Sequence, residues 1–437
     1  MEWYLVLTLI IGGLIVTMAT GMPVAFAFMF INVIGVFLLW GGEAGLHQLA
    51  LSIYASVSSF VWLPVPLFIL MGELMFRSGI AINMIEAMEK WLGRLPGRLS
   101  ILTVAVGTII GALTGSVSAS TALLGEVLLP EMTRRGYKKS MSLGAIIGSA
   151  GLAPLIPPSI FAVVVAALFD ISVGKLLIGG IMPGLISAFL YIIYIITRCW
   201  SNPSLAPSYE FRPATLSQKL TDTIKYILPL GLVVFAVTGV MLVGVATPSE
   251  AAATGALSCI ILALFYRRLG WEMLSKSFTS TLSITVMIFM IVTSSVTFSQ
   301  LLAFSGASKG MTEFVMNLPL PPIILIIASQ LLLFFLGTFM GSISMIMITI
   351  PIFMPIVNGV GFDPLLFGII MVINMVIAEK SPPFGMILFV LKGVAPADTT
   401  MGDIFRASVP YLFIDCFVMA IILAFPSLVM WLPNILS

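Results

Sequence analysis

The chain has 437 residues, of which 60% are apolar and only 9% charged, with a net charge of +2 and a mean hydropathy of +1.17. A soluble domain carries roughly 25% charged residues, so a surface this poor in charge points to a lipid bilayer as solvent. The small net charge gives no sign of a nucleic-acid partner. Three scattered cysteines (Cys199, Cys259, Cys416) and one histidine, His47, show no metal-like spacing.

A spanning helix needs about 20 apolar residues, and such stretches follow one another along the chain. The first, 3–19, has no basic residues before it and reads as a mature helix rather than a signal peptide. The second, 23–40, opens at Pro23, and His47 is expected in a polar loop after Trp40. An apolar stretch at 50–76 comes next. Residues 80–95 then carry Met84, Ile85, Met88, Trp91 and Leu92 on one face, as an interfacial helix does.

The stretch 99–133 is flanked by Arg94 and Arg98 before and by Arg134 to Lys139 after, and cytoplasmic ends attract basic residues. Both ends therefore belong inside, yet about 35 residues are too few for two spans at 1.5 Å per residue. A re-entrant helical hairpin is predicted, with its tip in the run Gly115 to Thr121. A helix broken at Pro157-Pro158 follows at 141–169, then a span at 176–197. The polar piece 198–225 divides the chain, and apolar stretches resume at 227–246, 250–266, 279–303, 319–357, 364–392 and 408–432. In this topology nearly all basic residues, Arg212 included, lie inside. Only Lys175 and Lys309 fall outside, Lys380 lies within a membrane segment, and both termini are periplasmic.

The two halves repeat one another. Gly115-Ser116-Val117-Ser118 recurs about 226 residues later as Gly341-Ser342-Ile343-Ser344. Pro157-Pro158 recurs as Pro382-Pro383, Pro23 as Pro248, and Ser78-Gly79 as Ser305-Gly306, all near the same offset. The expected organisation is repeat 1 over 1–197, a cytoplasmic connector over 198–226, and repeat 2 over 227–437. Hairpins at 99–133 and 319–357 and broken helices at 141–169 and 364–392 fall within them. An odd number of crossings in repeat 1 makes the repeats inverted, the architecture of many secondary transporters. The expected fold is thus an all-α polytopic membrane protein.

Irregular backbone at membrane depth persists where it is buried in protein or lines an aqueous cavity. Paired prolines remove backbone donors and unwind about a turn, which frees the carbonyls of Ala153, Ile156, Lys380 and Ser381. Such carbonyls, with Ser and Thr hydroxyls, are hard ligands suited to Na⁺. The helix N-terminus beyond each break offers N–H groups to an anion. The substrate-facing candidates are Ser120, Thr121, Ser159, Ser342, Lys380 and Pro383. Intramembrane charge is costly and functional by default. Lys380 either meets an anionic substrate or pairs with Glu379. Glu73 is expected to pair with Arg77, Glu250 to form a capping box with Thr247, and Asp415 to serve as a scaffold or subunit contact. Missing haem-ligand histidines and cysteine clusters argue against a membrane enzyme.

Several motifs in order carry a family resemblance: Gly21-Met22-Pro23-Val24-Ala25, Pro66-Leu67-Phe68-Ile69-Leu70-Met71-Gly72-Glu73, Ile156-Pro157-Pro158-Ser159, Thr247-Pro248-Ser249-Glu250-Ala251-Ala252-Ala253 and Ser381-Pro382-Pro383-Phe384-Gly385. They resemble the large membrane subunit of tripartite ATP-independent periplasmic (TRAP) transporters over nearly the whole chain. The resemblance implies a Na⁺-driven elevator in the bacterial inner membrane, with two or more Na⁺ ions. It also implies a small four-helix membrane subunit, a periplasmic substrate-binding protein and a small organic anion, a carboxylate or sulfonate. Family Na⁺ sites carry over to Ser116, Ser118, Ala153, Ile156 and Pro157 in one half, and to Gly341, Ser344, Ser381 and Phe384 in the other. All twelve apolar segments belong to the repeats, so the small partner is not expected to be fused. The alternative is a stand-alone Na⁺/anion symporter of the same superfamily.

Overall fold

Glycines, prolines and serines mark many of the places where an apolar run stops. The structure, a computed structural model, describes residues 2–93, 95–207, 214–339, 341–383 and 385–435. Among these there is no strand, and seven helices are long and apolar enough to cross a membrane. The chain is a multi-pass, all-helical membrane protein.

The first half runs α1 (Trp3–Ala19), α2 (Val24–Leu39), α3 (Glu43–Val57), α4 (Pro64–Ser78), α5 (Ile80–Glu89), α6 (Arg98–Thr114), α7 (Val117–Arg134), α8 (Lys139–Ala150), α9 (Ile160–Phe169), α10 (Val173–Gly179) and α11 (Ile181–Ser201). The remainder runs α12 (Leu216–Asp222), α13 (Leu228–Val234), α14 (Val240–Leu242), α15 (Pro248–Phe265), α16 (Trp271–Phe304), α17 (Ala307–Met316), α18 (Pro322–Phe339), α19 (Ser342–Gly359), α20 (Pro364–Glu379), α21 (Met386–Val394), α22 (Met401–Ala424) and α23 (Ser427–Ile435).

Several boundaries differ from the sequence expectation. The stretch 50–76 is two helices, because α3 stops at Ser58 and Pro64 opens α4 after a 3₁₀ turn at Phe60–Trp62. His47 lies on the exposed face of α3, not in a loop, since Glu43 and Gly42 start that helix early. The final stretch divides at Pro426, which cannot donate the next helical hydrogen bond. Residues 216–242 form one span in which π-helical turns at Thr223–Ile227 and Phe235–Gly239 alternate with α12, α13 and α14. Arg94 and Arg212 lie outside the described residues.

Two packing units share the apolar burial. One small cluster joins α1, α2, α3, α16 and α17, through Leu14, Phe28, Phe298 and Leu301. Polar stitches hold it to α16: Asn32 donates to the Ser294 carbonyl at 2.6 Å, and Ser52 to Gln300 at 2.6 Å. Hydrogen bonds and small residues drive helix association in lipid, where the apolar surround offers little. The larger cluster is built around α4, α6 to α9, α11 and α18 to α22. Within it α6 packs on α8, and α18 packs on α20. The arms also interleave: α7 packs on α21 and α19 on α9, so each hairpin's second arm meets a post-break helix of the other half.

The amphipathic helix α5 buries Ile80, Ala81, Met84 and Ile85. Glu89 at its end pairs with Arg98 at 3.3 Å and Arg135 at 3.0 Å, clamping both feet of the first hairpin.

Candidate functional site

The first hairpin turns at Gly115, which has φ of +57°, a left-handed value that glycine adopts without a Cβ penalty. A Cβ there would also lie 3.1 Å from the Pro158 carbonyl oxygen, so this tip is pressed directly against the first helix break. Ser116 caps α7 by accepting from the Ala119 amide at 3.3 Å. Behind it Thr114 Oγ1 and Ser120 Oγ lie 3.0 Å apart, both buried.

The break at 151–159 is wholly buried, and Ser159 caps the helix beyond it by accepting from the Ala162 amide at 3.1 Å. Its glycine-lined neighbour α6 approaches closely at Gly107 and Gly111, which face Ser149 and Ala153. Thr238 of the π-helical turn donates to the Pro157 carbonyl at 3.4 Å. The peptide bonds Pro157-Pro158 and Pro382-Pro383 are both cis.

The second half repeats this plan with different chemistry. Its hairpin tip is Gly341-Ser342, and Ser342 Oγ donates to Glu379 Oε1 at 2.8 Å, across to the second break. Neither Gly341 before α19 nor Gly385 before α21 supplies a side-chain cap, so the first amides of both helices lack one. Phe384 lies outside the described residues.

Both tips open onto one cavity of about 400 Å³. Ser116 and Ser118 line it from one side and Gly341, Ser342 and Ser344 from the other, with α16 closing it through Ile284, Met287 and Ile291. Two stretches more than two hundred residues apart thus face one space. Ser118 Oγ also lies 3.5 Å from the sulfur of Met386, just beyond the second break.

Not every candidate from the sequence reaches this cavity. Ala153, Ile156, Pro157 and Ser159 are buried behind the first tip. Ser120 and Thr121 turn inward, the latter donating to the Val117 carbonyl at 2.8 Å. Ser381 is buried and donates to the Ile377 carbonyl at 2.7 Å, whereas Pro383 is exposed away from the lining. The expectation of free carbonyls is corrected at Ser381, whose carbonyl accepts from the Gly385 amide at 3.0 Å. Those of Ala153, Ile156 and Lys380 accept none among the described residues.

Lys380 requires the largest correction. It neither lines the cavity nor pairs with Glu379. Its ammonium, fully buried, lies 2.7 Å from Asp415 Oδ2 and 2.7 Å from the Tyr191 hydroxyl, and Tyr191 itself donates to Asp415. The reason is direction: at the end of α20, Glu379 points to the tip of its own hairpin while Lys380 points to α11 and α22. Space for it exists only because residue 151, in the first break, is glycine; a Cβ there would lie 1.9 Å from Lys380 Cε. Asp415 is therefore an internal counter-ion rather than a subunit contact.

The sequence reading missed Glu379 as a lining residue, having weighed it only as a partner for Lys380. Its position immediately before the broken turn was the available signal. Glu73 and Arg77 pair as expected, at 2.9 Å, and Thr247 and Glu250 form the expected capping box.

Residues 11–428 match the family model of the tripartite ATP-independent periplasmic transporter, DctM component. The chain is 32% identical over 391 residues to the C4-dicarboxylate TRAP transporter large permease protein DctM of Pseudomonas aeruginosa, covering 89% of this chain and 90% of that one. It is 28% identical over 434 residues to the ectoine TRAP transporter large permease protein TeaC of Halomonas elongata, covering 98% and 99%. Its fold is similar to that of the YdaH transporter of Alcanivorax borkumensis, with a TM-score of 0.62 and 14% identity over 91% of this chain and 97% of that one.

Proposed function

This chain belongs to the tripartite ATP-independent periplasmic transporter family as its DctM component, and from that premise we propose a Na⁺-coupled elevator that imports a small organic acid across the bacterial inner membrane. The observation that carries the reading is the shared cavity: both Gly-Ser-x-Ser tips converge on it from opposite halves of the chain. A transported solute needs a site reachable in turn from each side, and two hairpins of inverted orientation supply one gate each.

The solute's acid group meets the α19 and α21 amides that no side chain caps, where the partial positive charge of a helix N-terminus favours an anion. Na⁺ is a co-substrate held between each tip and its break. In the first half the oxygens available to it are those of Ser116, Ser118 and the unpaired carbonyls of Ala153 and Ile156. In the second half they are those of Gly341 and Ser344 and the hydroxyl oxygen of Ser381, whose carbonyl is taken by Gly385. The relatives named for C4-dicarboxylate and for ectoine support small acids as the solute class. A small membrane subunit and a periplasmic binding protein complete the system, and both termini face the periplasm.

Reconstitution into proteoliposomes tests this. Uptake is expected only with the small subunit, the cognate binding protein and an inward Na⁺ gradient all present. Uptake by this chain alone would identify a stand-alone symporter instead, and uptake indifferent to Na⁺ would remove the coupling.

A further inference from the structure

The cavity's electrostatics are unusual for a site that takes an acid. Two carboxylates line it, Glu73 and Glu379, and among its described lining residues there is no Lys, Arg or His. Glu73 is neutralised by Arg77. Glu379 has no cation in contact with it among the described residues. Its Oε1 is held by the Ser342 hydroxyl, a neutral donor, while its Oε2 is buried with no hydrogen-bond partner. The residue is 5% exposed. The adjacent cation, Lys380, is turned away and committed to Asp415 and Tyr191.

A buried carboxylate oxygen without a partner is costly, and either a proton or a counter-charge relieves it; a cation brought by the solute supplies the second. The Na⁺ assigned to the second half draws its oxygens from Gly341, Ser344 and Ser381 and none from Glu379, so Oε2 still lacks a partner when that ion is bound. A plain dicarboxylate would instead add like charge beside Glu379, which repels it. Resting on the reading of this cavity as the solute site, we infer that the solute is a zwitterion, and that Glu379 Oε2 receives its cationic nitrogen while the helix N-termini of the second half receive its acid group.

The test uses a single reporter thiol. In full-length protein with Cys199, Cys259 and Cys416 replaced by alanine, Ile343→Cys places one thiol in the cavity lining. Its modification rate is measured with a trimethylammonium-ethyl and with a sulfonato-ethyl methanethiosulfonate, each normalised to its rate with a free small thiol. A focused negative site is expected to favour the cationic reagent by about tenfold or more. Glu379→Gln should remove that preference, leaving a ratio of about one or below because the uncapped α19 amides then dominate beside Ile343, and Glu379→Asp should preserve it, which separates charge from misfolding. A ratio that ignores Glu379→Gln, or that favours the anionic reagent, overturns the assignment.

A second arm asks which solutes protect the thiol from the neutral methyl reagent. Glycine betaine or 4-aminobutyrate is expected to protect more than equimolar succinate, and the reverse order overturns the zwitterion. Failure of the transport reading itself has a separate signature: blocking Ile343→Cys in the assembled complex would leave uptake unchanged.

Discussion

Lys380 and Asp415 form a buried ion pair among apolar helices, and such pairs behave asymmetrically on mutation. Removing one partner strands a charge and typically costs about 3–5 kcal/mol, whereas replacing both with apolar residues is near neutral. Lys380→Met is therefore expected to lower the thermal midpoint of the purified protein far more than Lys380→Met with Asp415→Leu. Equal melting of the two variants would show that the pair contributes no such asymmetry. The serines of the two tips make the corresponding functional pair. Ser118→Ala with Ser344→Ala should raise the Na⁺ concentration for half-maximal uptake by roughly tenfold, about 1.4 kcal/mol of lost coordination, with the folded yield unchanged. An unaltered Na⁺ response would remove both hydroxyls from the ion sites.

At the scale of elements, the decisive contacts are close approaches between helices that only small residues permit. Gly72 of α4 sits against the end of α6, and a Cβ there would lie 2.2 Å from the Thr114 carbonyl oxygen. That obstacle is backbone at a hairpin tip, so it cannot swing aside as a side chain would. Gly72→Ala is expected to push α4 off the tip at an overpacking cost of about 1–3 kcal/mol. Uptake should fall more steeply than the amount of protein in the membrane, as judged by uptake per inserted molecule. Normal specific activity would mean that the tip yields without loss. The turn between α6 and α7 was anticipated from charge, because basic clusters flank a run too short for two spans. What charge could not reveal is that α7 packs on α21 and α19 on α9, which depends on shape complementarity between distant segments.

For the molecule as a whole, the small cluster of α1, α2, α3 and α17 joins the rest largely through the long helix α16, which also walls the cavity. In the elevator proposed above, this division supplies the fixed frame and the moving body of hairpins and broken helices. Linking Met287→Cys on α16 to Ile343→Cys on α19 with a short bifunctional thiol reagent is expected to arrest uptake, with recovery when a reducible linker is cleaved. Full uptake while linked would exclude relative movement of these two walls.

The sequence alone determined the membrane class, the duplicated tips and breaks, the turn between α6 and α7, and the family. Each of these is a one-dimensional signal, a matter of hydropathy, spacing, charge flanks or motif order. Tertiary structure decided which way the last residue of α20 and the residue that follows it face. Glu379 and Lys380 are neighbours in sequence, and on a helix successive residues diverge by about 100°, so one looks into the cavity and the other into the core. Partners for both come from elsewhere in the chain: Ser342 for the first, and Asp415 and Tyr191 for the second. No local pattern specifies such pairings, because they exist only once α11, α20 and α22 are packed together.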